Sequence, residues 1–503
     1  MKAYLQKNIA RNTYATLIGA TLTLAFAPFS YGMWAWGVIA LFLFGISTCN
    51  TRAQSLWFGF WFGFGLFASG ASWIYVSIHD FGPAPFWLAT LFTTSFVALW
   101  AATYTLIGWA TYAMRPHPLW LFTGFPLTWV AIEGFRYHFG TGFPWLNLGD
   151  TQIDTVIGGY LPVLGVYGTT GVTVLLGALL YKIFEAKRNR YFFLAFVLIG
   201  SVLQTVHWTQ PIGKPQTVAL LQGNIPQMQR WNRHFLTHII ETYQTLTKAN
   251  LNHDFIIWPE GALPLPFPNN KALLASLDAL AKNHQTNLFI GMPIIVDGKY
   301  YNGVVGQGLA SGVYLKRHLV PFGEYVPFEN YLRGLIAFFD LPMSDFYPAP
   351  TTMPPLLEAY NLKVGPSICY EIAYSDLVRT QTKDAHVLLT LSNDAWFGNS
   401  LGPDQHLTIA RIRAKETGRY VLRATNNGWT AIINPQGIIT ALLAKDTTGA
   451  LTGTFEGMQG QTPWQRFGYL PGLLLSILWG ALCWKMSLPP KVKRPTSALR
   501  DLG

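Results

Sequence analysis

The stretch Val364-Gly-Pro-Ser-Ile-Cys-Tyr-Glu371 is a short β-type run that ends in a thiol and a carboxylate. Cys369 is the only cysteine between residues 209 and 467. A cysteine that follows a strand, just past Gly365 and Pro366, is where a nucleophile would be presented on a sharp turn. An isolated cysteine more often behaves as a small buried hydrophobe, so the rest of the chain must decide between the two interpretations.

The composition around this stretch is typical of a membrane protein. Half of the 503 residues are apolar, 12% are charged, and the mean hydropathy is +0.26. A soluble protein carries about twice that charged fraction. The net charge of +11 does not indicate nucleic acid binding, because Lys and Arg of the apolar region lie at the ends of hydrophobic runs, as topology signals do. We therefore expect a polytopic membrane protein with a large soluble insertion.

Eight apolar runs approach the roughly 20 residues that a helix needs to cross the hydrocarbon core. They are Thr13–Phe29, Gly32–Thr48, Ser55–Ile78, Pro85–Ala113, Pro118–Glu133, Val156–Phe184, Tyr191–Trp208 and Gly468–Trp484. The first could be a signal peptide, but the spans that follow at once argue against cleavage. The sequence thus predicts eight transmembrane helices.

Basic residues between these runs predict the orientation. Lys and Arg cluster on one side, including residues 182–190 and the tail after residue 484, whereas the short loops of the other side hold only Arg136. By the positive-inside rule the basic side is cytoplasmic. Helices 1–7 then occupy residues 1–208, an extracytoplasmic domain residues 209–467, the eighth helix residues 468–486, and a basic cytoplasmic tail residues 487–503.

The soluble insertion alternates strand-like and helical patterns, which predicts an α/β layered domain. Examples are the β-run Phe255–Trp258, the amphipathic helix Lys271–Asn283 and the β-run His386–Ser392. The sequence contains no Walker loop, CxxC pair, HExxH or GxSxG motif, so nucleotide, zinc and serine-hydrolase chemistry lack support. His318 and His406 are interpreted as structural hydrogen-bonding residues, because neither has a partner at metal-ligand spacing.

Three strand ends in the insertion carry groups that could act together. Glu260 follows a buried strand, where desolvation suits a general base. Lys316 could supply a fixed positive charge for an oxyanion, and Cys369 needs such neighbours to become a nucleophile. Taken singly, Glu260 could be a surface residue, Lys316 a solvated strand residue and Glu324 a turn cap.

Taken together, Trp258-Pro-Glu260, Lys316 eight residues before Glu324, and Cys369-Tyr-Glu371 resemble the Glu–Lys–Cys triad of the nitrilase superfamily. Four further features are similar to the apolipoprotein N-acyltransferase family over essentially the whole chain. They are the apolar N-terminal block with Phe143-Pro144-Trp145, the motif Gln222-Gly-Asn-Ile-Pro226, the motif Asn393-Asp-Ala-Trp396-Phe-Gly398, and the single C-terminal span. The resemblance implies a four-layer α-β-β-α sandwich.

The resemblance also implies a mechanism without metal or cofactor. Cys369 would attack an acyl ester of a phospholipid, typically phosphatidylethanolamine, while Glu260 accepts the thiol proton and Lys316 stabilises the oxyanion. The acyl group would then pass to the N-terminal amine of a diacylated apolipoprotein. Supporting roles would fall to Glu324, which orients Lys316 or Glu260, and to Tyr370 and Glu371, which line the site. The expected location is the bacterial inner membrane, with the catalytic domain on the periplasmic side.

Two segments of the insertion are too apolar for ordinary solvated loops, and exposed segments of this kind mark membrane or ligand contact. They are Ala262–Pro268 and Gly334–Pro355, the latter with Phe338 and Phe339. We expect these arms to approach the bilayer and to gate acyl-chain entry; packing on their own domain is the alternative. Trp231 and Trp396 are assigned to the same substrate-binding rim, although Trp231 could be an interface aromatic and nothing more.

Two other functions are compatible with parts of this pattern. A membrane-tethered nitrilase-type amidase would share the triad but use water as the second acceptor, and it would not need the apolar rim or seven preceding spans. A transporter with a soluble sensor domain would need charges within its spans, where such charges are few (Glu133 lies at a span end).

Overall fold

The structure is a computed structural model that describes residues 2–82, 84–117, 119–230, 232–264, 266, 270–327 and 345–487. Its N-terminal half is helical. The α-helices of this half are α1 (Lys2–Thr21), α2 (Trp34–Ser47), α3 (Arg52–Gly70), α4 (Trp73–Val76), α5 (Phe86–Met114), α6 (Phe125–His138), α7 (Leu161–Tyr181) and α8 (Lys187–Gln204). We refer to residues 2–204 as the helical half.

Glycines allow the helices of this half to approach closely. A Cβ atom on Gly65 of α3 would lie 2.1 Å from the carbonyl oxygen of Thr16 in α1. A Cβ atom on Gly108 of α5 would lie 2.3 Å from the carbonyl oxygen of Ser55 in α3. Backbone contact through small residues is the usual way in which membrane helices associate, because apolar side chains gain little by leaving lipid for protein.

Three helices of the described chain are long and apolar enough to cross a membrane: Phe86–Met114, Val156–Tyr181 and Leu470–Ser487. A fourth span results if α3 is joined to Trp73–Phe81, from which it bends by 53°. Other predicted spans coincide with helices that are short, such as the 14 residues of α2, or that begin with several basic residues, such as α8. The prediction of eight spans therefore remains a prediction.

The C-terminal half contains two sheets. The strands are β1 (Gln210–Gln222), β2 (Phe255–Ile257), β3 (Asn287–Val296), β4 (Lys299–Gly308), β5 (Ala310–Ser311), β6 (Val313–Leu315), β7 (Leu357–Ala359), β8 (Leu362–Ile368), β9 (Val387–Ser392), β10 (Val421–Thr425), β11 (Thr430–Ile433), β12 (Ile439–Leu443) and β13 (Gly449–Gln459). Sheet A has the order β13-β1-β2-β3-β4-β6, and sheet B has the order β12-β11-β10-β9-β8-β7-β5.

The remaining α-helices of the described residues are α9 (Gln227–Arg230), α10 (Leu236–Lys248), α11 (Lys271–Asn283), α12 (Ser375–Gln381), α13 (Gly402–Thr417), α14 (Pro463–Phe467) and α15 (Leu470–Ser487). The buried side chains Leu274, Leu277 and Ala281 recur at helical spacing on α11, which gives that helix one apolar stripe for the outer face of sheet A.

The layers confirm the predicted α-β-β-α sandwich. Apolar side chains of both sheets, such as Ile257 and Leu389, form one fully buried cluster between them, as expected for two sheets packed face to face. Helices α10 and α11 cover sheet A, and α12 and α13 cover sheet B. Helix α13 also packs against the helical half, where Ile412 shares a buried apolar cluster with Val166 and Tyr167.

A buried carboxylate joins the sandwich to the helical half. Helix α7 is interrupted at Gly165, whose φ of 66° is one that glycine adopts readily. The backbone N–H of the next residue, Val166, donates to Glu416 Oε1 of α13 at 2.6 Å. The other oxygen of Glu416 accepts from Ser375 at 2.9 Å and pairs with Arg413. Helix α13 is therefore attached both to sheet B and to a break in α7.

Gly291 of β3 provides a test of the close packing beneath the strand end that carries Glu260. A Cβ atom at position 291 would lie 2.2 Å from the carbonyl oxygen of Pro259 and 2.9 Å from the Cα atom of Glu260. We expect Gly291→Ala to destabilise the fold by about 1–3 kcal/mol, because the backbone must shift to relieve the overlap. Gly449→Ala, whose Cβ atom would have no neighbour within 4 Å, is the control. Equal thermal unfolding midpoints for the two variants in detergent would contradict the packing described here.

Candidate active site

Three strand ends meet at one edge of the sandwich. Glu260 lies three residues after β2 and Lys316 directly after β6, both in sheet A, whereas Cys369 directly follows β8 of sheet B. The charges of Glu260 and Lys316 both act on the Cys369 thiol. The structure thus brings together the three residues that the sequence predicted to cooperate, from strands distant in sequence.

Lys316 is a buried ammonium group between two carboxylates. Its side chain is 1% exposed, and its Nζ lies 2.9 Å from Glu324 Oε1 and 3.7 Å from Glu260 Oε1. Although burial alone would lower the pKa of Lys316, the carboxylates of Glu324 and Glu260 outweigh it and raise that pKa above its ordinary value. Lys316 is therefore a permanent positive charge beside the thiol.

Two amides hold the carboxylates around this charge. Asn302 of β4 donates from Nδ2 to Glu260 Oε1 at 2.8 Å and to Glu324 Oε1 at 2.9 Å. The backbone N–H of Asn393 donates to Glu260 Oε2 at 2.9 Å. Both oxygens of Glu260 thus accept hydrogen bonds from donors in fixed positions, and these bonds hold the carboxylate in one orientation.

Cys369 occupies a strained backbone position. Its φ of 52° lies in the left-handed region, which costs a residue other than glycine about 1–3 kcal/mol unless the surroundings compensate. A 3₁₀ turn, Cys369–Ala373, begins at this residue. The residue as a whole is half-buried.

Glu371 ties this turn to the end of β6. Its Oε1 accepts from the backbone N–H groups of Arg317 at 2.7 Å and His318 at 3.1 Å. Its Oε2 accepts from the backbone N–H of Ile368 at 2.8 Å and from the Tyr314 hydroxyl at 2.9 Å. With four donors around it, Glu371 fixes the distance between the Cys369 turn and the segment that carries Lys316.

The resting thiol is protonated. Burial is the main cause that raises the pKa of Cys369 to about 12, and the negative charge of Glu260 raises it further against the opposing effect of Lys316. A thiol with this pKa is a poor nucleophile at neutral pH, because the thiolate is the reactive form. Attack by this thiol would therefore require a base to accept its proton, and Glu260, whose negative charge acts on the thiol, is the candidate base.

The helical half contributes one side of the site. The Tyr370 hydroxyl donates to the carbonyl oxygen of Gly142 at 3.1 Å, and its ring stacks on Trp145 with a centroid distance of 6.3 Å. His318 contacts the carbonyl oxygen of Thr141 through Nε2 at 2.9 Å, which agrees with its predicted structural role. The loop 141–145, which includes the quoted Phe143-Pro144-Trp145 motif, therefore lines the site beside Tyr370.

Comparison with known proteins agrees with both halves of this architecture. The Carbon-nitrogen hydrolase family matches residues 217–462, and the Apolipoprotein N-acyltransferase N-terminal domain matches residues 18–179. An Azotobacter vinelandii protein named Apolipoprotein N-acyltransferase is 41% identical over 489 residues, which cover 94% of this chain and 94% of the relative. This chain belongs to the apolipoprotein N-acyltransferase family.

Other relatives extend the comparison. A Pseudomonas aeruginosa apolipoprotein N-acyltransferase is 40% identical over 93% of this chain and 95% of its own length. Among solved structures, a Saccharomyces cerevisiae member of branch 10 of the nitrilase superfamily aligns with a TM-score of 0.37 and 16% identity, covering 49% of this chain and 91% of that one. Membership of the N-acyltransferase family confirms the resemblance inferred from the motifs.

The predicted rim of this N-acyltransferase is described only in part. Trp396 is half-buried, and its ring lies 6.1 Å from that of Phe81 in the helical half, near the cluster of Leu319 and Phe346. Three rim residues lie outside the described residues: Trp231, Phe338 and Phe339. Their assignment to substrate binding, and the gating role of the arms, remain predictions.

The sequence did not reveal three contributors to the N-acyltransferase site. Asn302 lies inside β4, where no local pattern distinguishes it from other strand residues. Asn393 stands in a quoted motif but received no role. Arg230, which is 4% exposed, donates from Nε to the Gly261 carbonyl oxygen at 3.0 Å and from Nη2 to the Glu260 carbonyl oxygen, so that it holds the backbone of the base. The tertiary packing of β4, α9 and the end of β9 places these residues around Glu260.

The raised pKa of Cys369 leads to a measurable pH profile. We expect iodoacetamide to alkylate Cys369 slowly at pH 7, about 10³-fold below a free thiol, because so little thiolate is present. The rate should rise with pH up to the titration near 12. Tyr360→Cys, at a 74% exposed position, supplies a matched free thiol in the same preparation. An alkylation midpoint for Cys369 near that of this control would contradict the electrostatics described above.

Proposed function

We propose that the protein moves a fatty acyl chain from a membrane phospholipid to the N-terminal amino group of a diacylglyceryl-cysteine apolipoprotein, through a thioester on Cys369. The observation that carries the proposal is the position of Cys369, on a strained turn where the charges of both the Glu260 carboxylate and the buried Lys316 ammonium group act on its thiol. Family membership supports the substrates, since the relatives are named apolipoprotein N-acyltransferases.

The first half-reaction forms the acyl-enzyme. Glu260 accepts the proton of the Cys369 thiol as Sγ attacks the ester carbonyl of the phospholipid. Negative charge develops on the carbonyl oxygen, and Lys316 stabilises it with a charge that needs no reorganisation. The C–O bond then breaks, Glu260 returns the proton to the departing oxygen, and lysophospholipid leaves a thioester on Cys369.

The second half-reaction uses an amine in place of water. The free α-amino group of the lipoprotein cysteine attacks the thioester carbonyl, and Glu260 accepts a proton from the nitrogen. Lys316 again stabilises the oxyanion, and Glu324, 2.9 Å from Lys316 Nζ, holds the ammonium group in place. The C–S bond breaks, the thiolate regains its proton from Glu260, and an amide is released. Tyr370 and Glu371 act by holding the turn that carries the nucleophile.

The membrane setting follows from the same proposal. Both substrates are anchored in lipid, so the site must stand at the bilayer surface. We propose eight spans in the bacterial inner membrane, a periplasmic sandwich, and phosphatidylethanolamine as the typical acyl donor. The rim residues Trp231, Phe338, Phe339 and Trp396 would guide the acyl chain to Cys369. The contact between loop 141–145 and Tyr370 supports a site that adjoins the helical half.

The thioester gives the first test. Cys369→Ala should abolish a hydroxylamine-labile adduct when membranes are incubated with phospholipid labelled in its acyl chain, because the other two cysteines, Cys49 and Cys483, lie outside the sandwich, in the helical half and in α15. Cys49→Ala, which changes a buried cysteine of the helical half, should form the adduct at the wild-type level. Mass spectrometry of the Cys369 peptide locates the label. Persistence of the labile adduct in Cys369→Ala would remove this residue from the mechanism.

The second acceptor distinguishes the N-acyltransferase from an amidase with the same three residues. Wild-type membranes supplied with labelled phospholipid and a diacylated lipopeptide should produce N-acylated lipopeptide and lysophospholipid in equal amounts. Release of free fatty acid, or of ammonia from a small amide, with no transfer to the lipopeptide would support hydrolysis instead. Chromatography of the labelled lipids measures both products.

Orientation can be tested with single cysteines in a background in which Cys49, Cys369 and Cys483 are all replaced by Ala. Tyr360→Cys, in the sandwich, should react with a membrane-impermeant maleimide in cells whose outer membrane has been permeabilised. Phe184→Cys, which is 87% exposed between α7 and α8, should react only after the inner membrane is opened, because it lies on the predicted cytoplasmic side. The reverse labelling pattern would place the sandwich in the cytoplasm.

A further inference from the structure

A buried polar cluster lies directly behind the Cys369 turn, and the mechanism above does not use it. Its members are Ser392 at the end of β9, Asp394, His406 in α13, and Arg423 in β10, and each of them is at most 2% exposed. Buried charges persist in a fold only when they are paired and hydrogen-bonded, so a cluster of this kind needs an explanation.

Asp394 is the centre of the cluster. Its Oδ1 accepts from the Ser392 hydroxyl at 2.7 Å and lies 3.0 Å from His406 Nδ1. Its Oδ2 accepts from Arg423 Nη2 at 2.7 Å. Although burial alone would raise the pKa of Asp394, Arg423 and His406 hold it well below its usual range, so the carboxylate stays charged. The carboxylate thereby fixes the positions of the hydroxyl and the imidazole.

The imidazole contacts the nucleophile residue, whereas the single hydroxyl proton of Ser392 is donated to Asp394. The Nε2 atom of His406 lies 3.2 Å from the backbone carbonyl oxygen of Cys369, and since a carbonyl oxygen can only accept, Nε2 is the donor. Trp145 and Phe397 pack on the imidazole with centroid distances of 5.7 Å and 5.8 Å, which restricts its rotation.

The cluster does not compete with Glu260 for the thiol proton. One nitrogen of His406 is used by the Cys369 carbonyl, and the other faces Asp394 and Arg423, at 3.0 Å and 3.2 Å. Neither nitrogen is directed at Sγ. A role in placing the residue therefore fits the geometry, whereas a role as general base does not.

We propose that His406, oriented by Asp394 and Arg423, is a positioning residue that holds Cys369 in its left-handed backbone conformation by a hydrogen bond to the Cys369 carbonyl. The bond holds the Cys369 carbonyl oxygen, whose direction changes if the residue relaxes from its φ of 52°. The proposal rests on the proposed function only in taking Cys369 as the nucleophile. Without the bond, Sγ moves away from the line between Glu260 and the acyl carbon.

Two substitutions separate the hydrogen bond from the packing. His406→Phe keeps a ring between Trp145 and Phe397 but has no donor for the carbonyl oxygen. His406→Gln places an amide N–H close to the position of Nε2. We expect His406→Phe to lower the single-turnover rate constant of thioester formation by about 10²-fold, since small misplacements of a reacting group have effects of that size. We expect His406→Gln to recover the rate to within about tenfold of wild type.

Two measurements, the phospholipid KM and the alkylation rate of Cys369, distinguish a positioning role of His406 from a general loss of stability. The phospholipid KM of His406→Phe should stay within about twofold of wild type, because His406 does not touch the substrate and its effect falls on the transition state alone. Iodoacetamide alkylation of Cys369 should also slow in His406→Phe and recover in His406→Gln. Thr382→Val, which removes a buried hydroxyl bonded to Val378 in α12, controls for a loss of stability that leaves the turn untouched.

Wild-type rates of acylation and alkylation in His406→Phe would overturn the proposal. So would equal losses in His406→Phe and His406→Gln, since a merely structural histidine gains nothing from a replacement donor. His406→Leu replaces His406→Phe if the latter does not accumulate in folded form, and the same comparison with His406→Gln applies. Alkylation needs no lipid, so absence of any thioester in the wild type would count against the proposed function and leave the test of His406 intact.

Discussion

The ammonium group of Lys316, removed from water and held between Glu260 and Glu324, is the constraint on which the rest of the site depends. A buried charge is costly unless its partners are placed well. Here Lys316 pairs with both carboxylates, and both of them also accept a hydrogen bond from the side-chain amide of Asn302. The arrangement keeps a positive charge beside a thiol that is itself protonated at rest. In the proposed mechanism, the charge for the oxyanion is thus present before the substrate arrives, whereas the thiolate forms only when Glu260 accepts the proton.

Such a site needs two rigid supports, and the sandwich supplies them from opposite sheets. Sheet A carries the base and the ammonium group, and sheet B carries the thiol. Neither sheet alone fixes the distance between the two sets. Glu371 does so, because its oxygens bond to backbone N–H groups at the ends of both β6 and β8. Glu371, expected from the sequence to line the site, thus holds the ends of β6 and β8 together.

The alternating strand and helix patterns predicted an α/β layered domain, and helix Lys271–Asn283 has the predicted bounds, whereas the four-layer order came from the family resemblance alone. Glu260, Lys316 and Cys369 each give a weak signal at a strand end, and only their occurrence together made them candidates for one site. Other contributors have no such signal. Asn302 becomes part of the site through the pairing of β4 with β6, and His406 through the packing of α13 on the Cys369 turn. The short strands β7 and β12 were not predicted either, because so few residues show too little alternation of apolar and polar side chains to be recognised as a strand.

Helix α13 has a consequence for how the protein can be divided. Its N-terminal part holds the carbonyl of the nucleophile through His406, and its last turn is bonded through Glu416 to the broken backbone of α7. Helix α13 thus forms part of the outer helical layer of the sandwich, and in the whole molecule the helical half covers it. A sandwich cut free from the helices would lose the neighbour on one face of this helix and the loop beside Tyr370. The two halves are therefore one indivisible catalytic unit, rather than an enzyme tied to a detachable anchor.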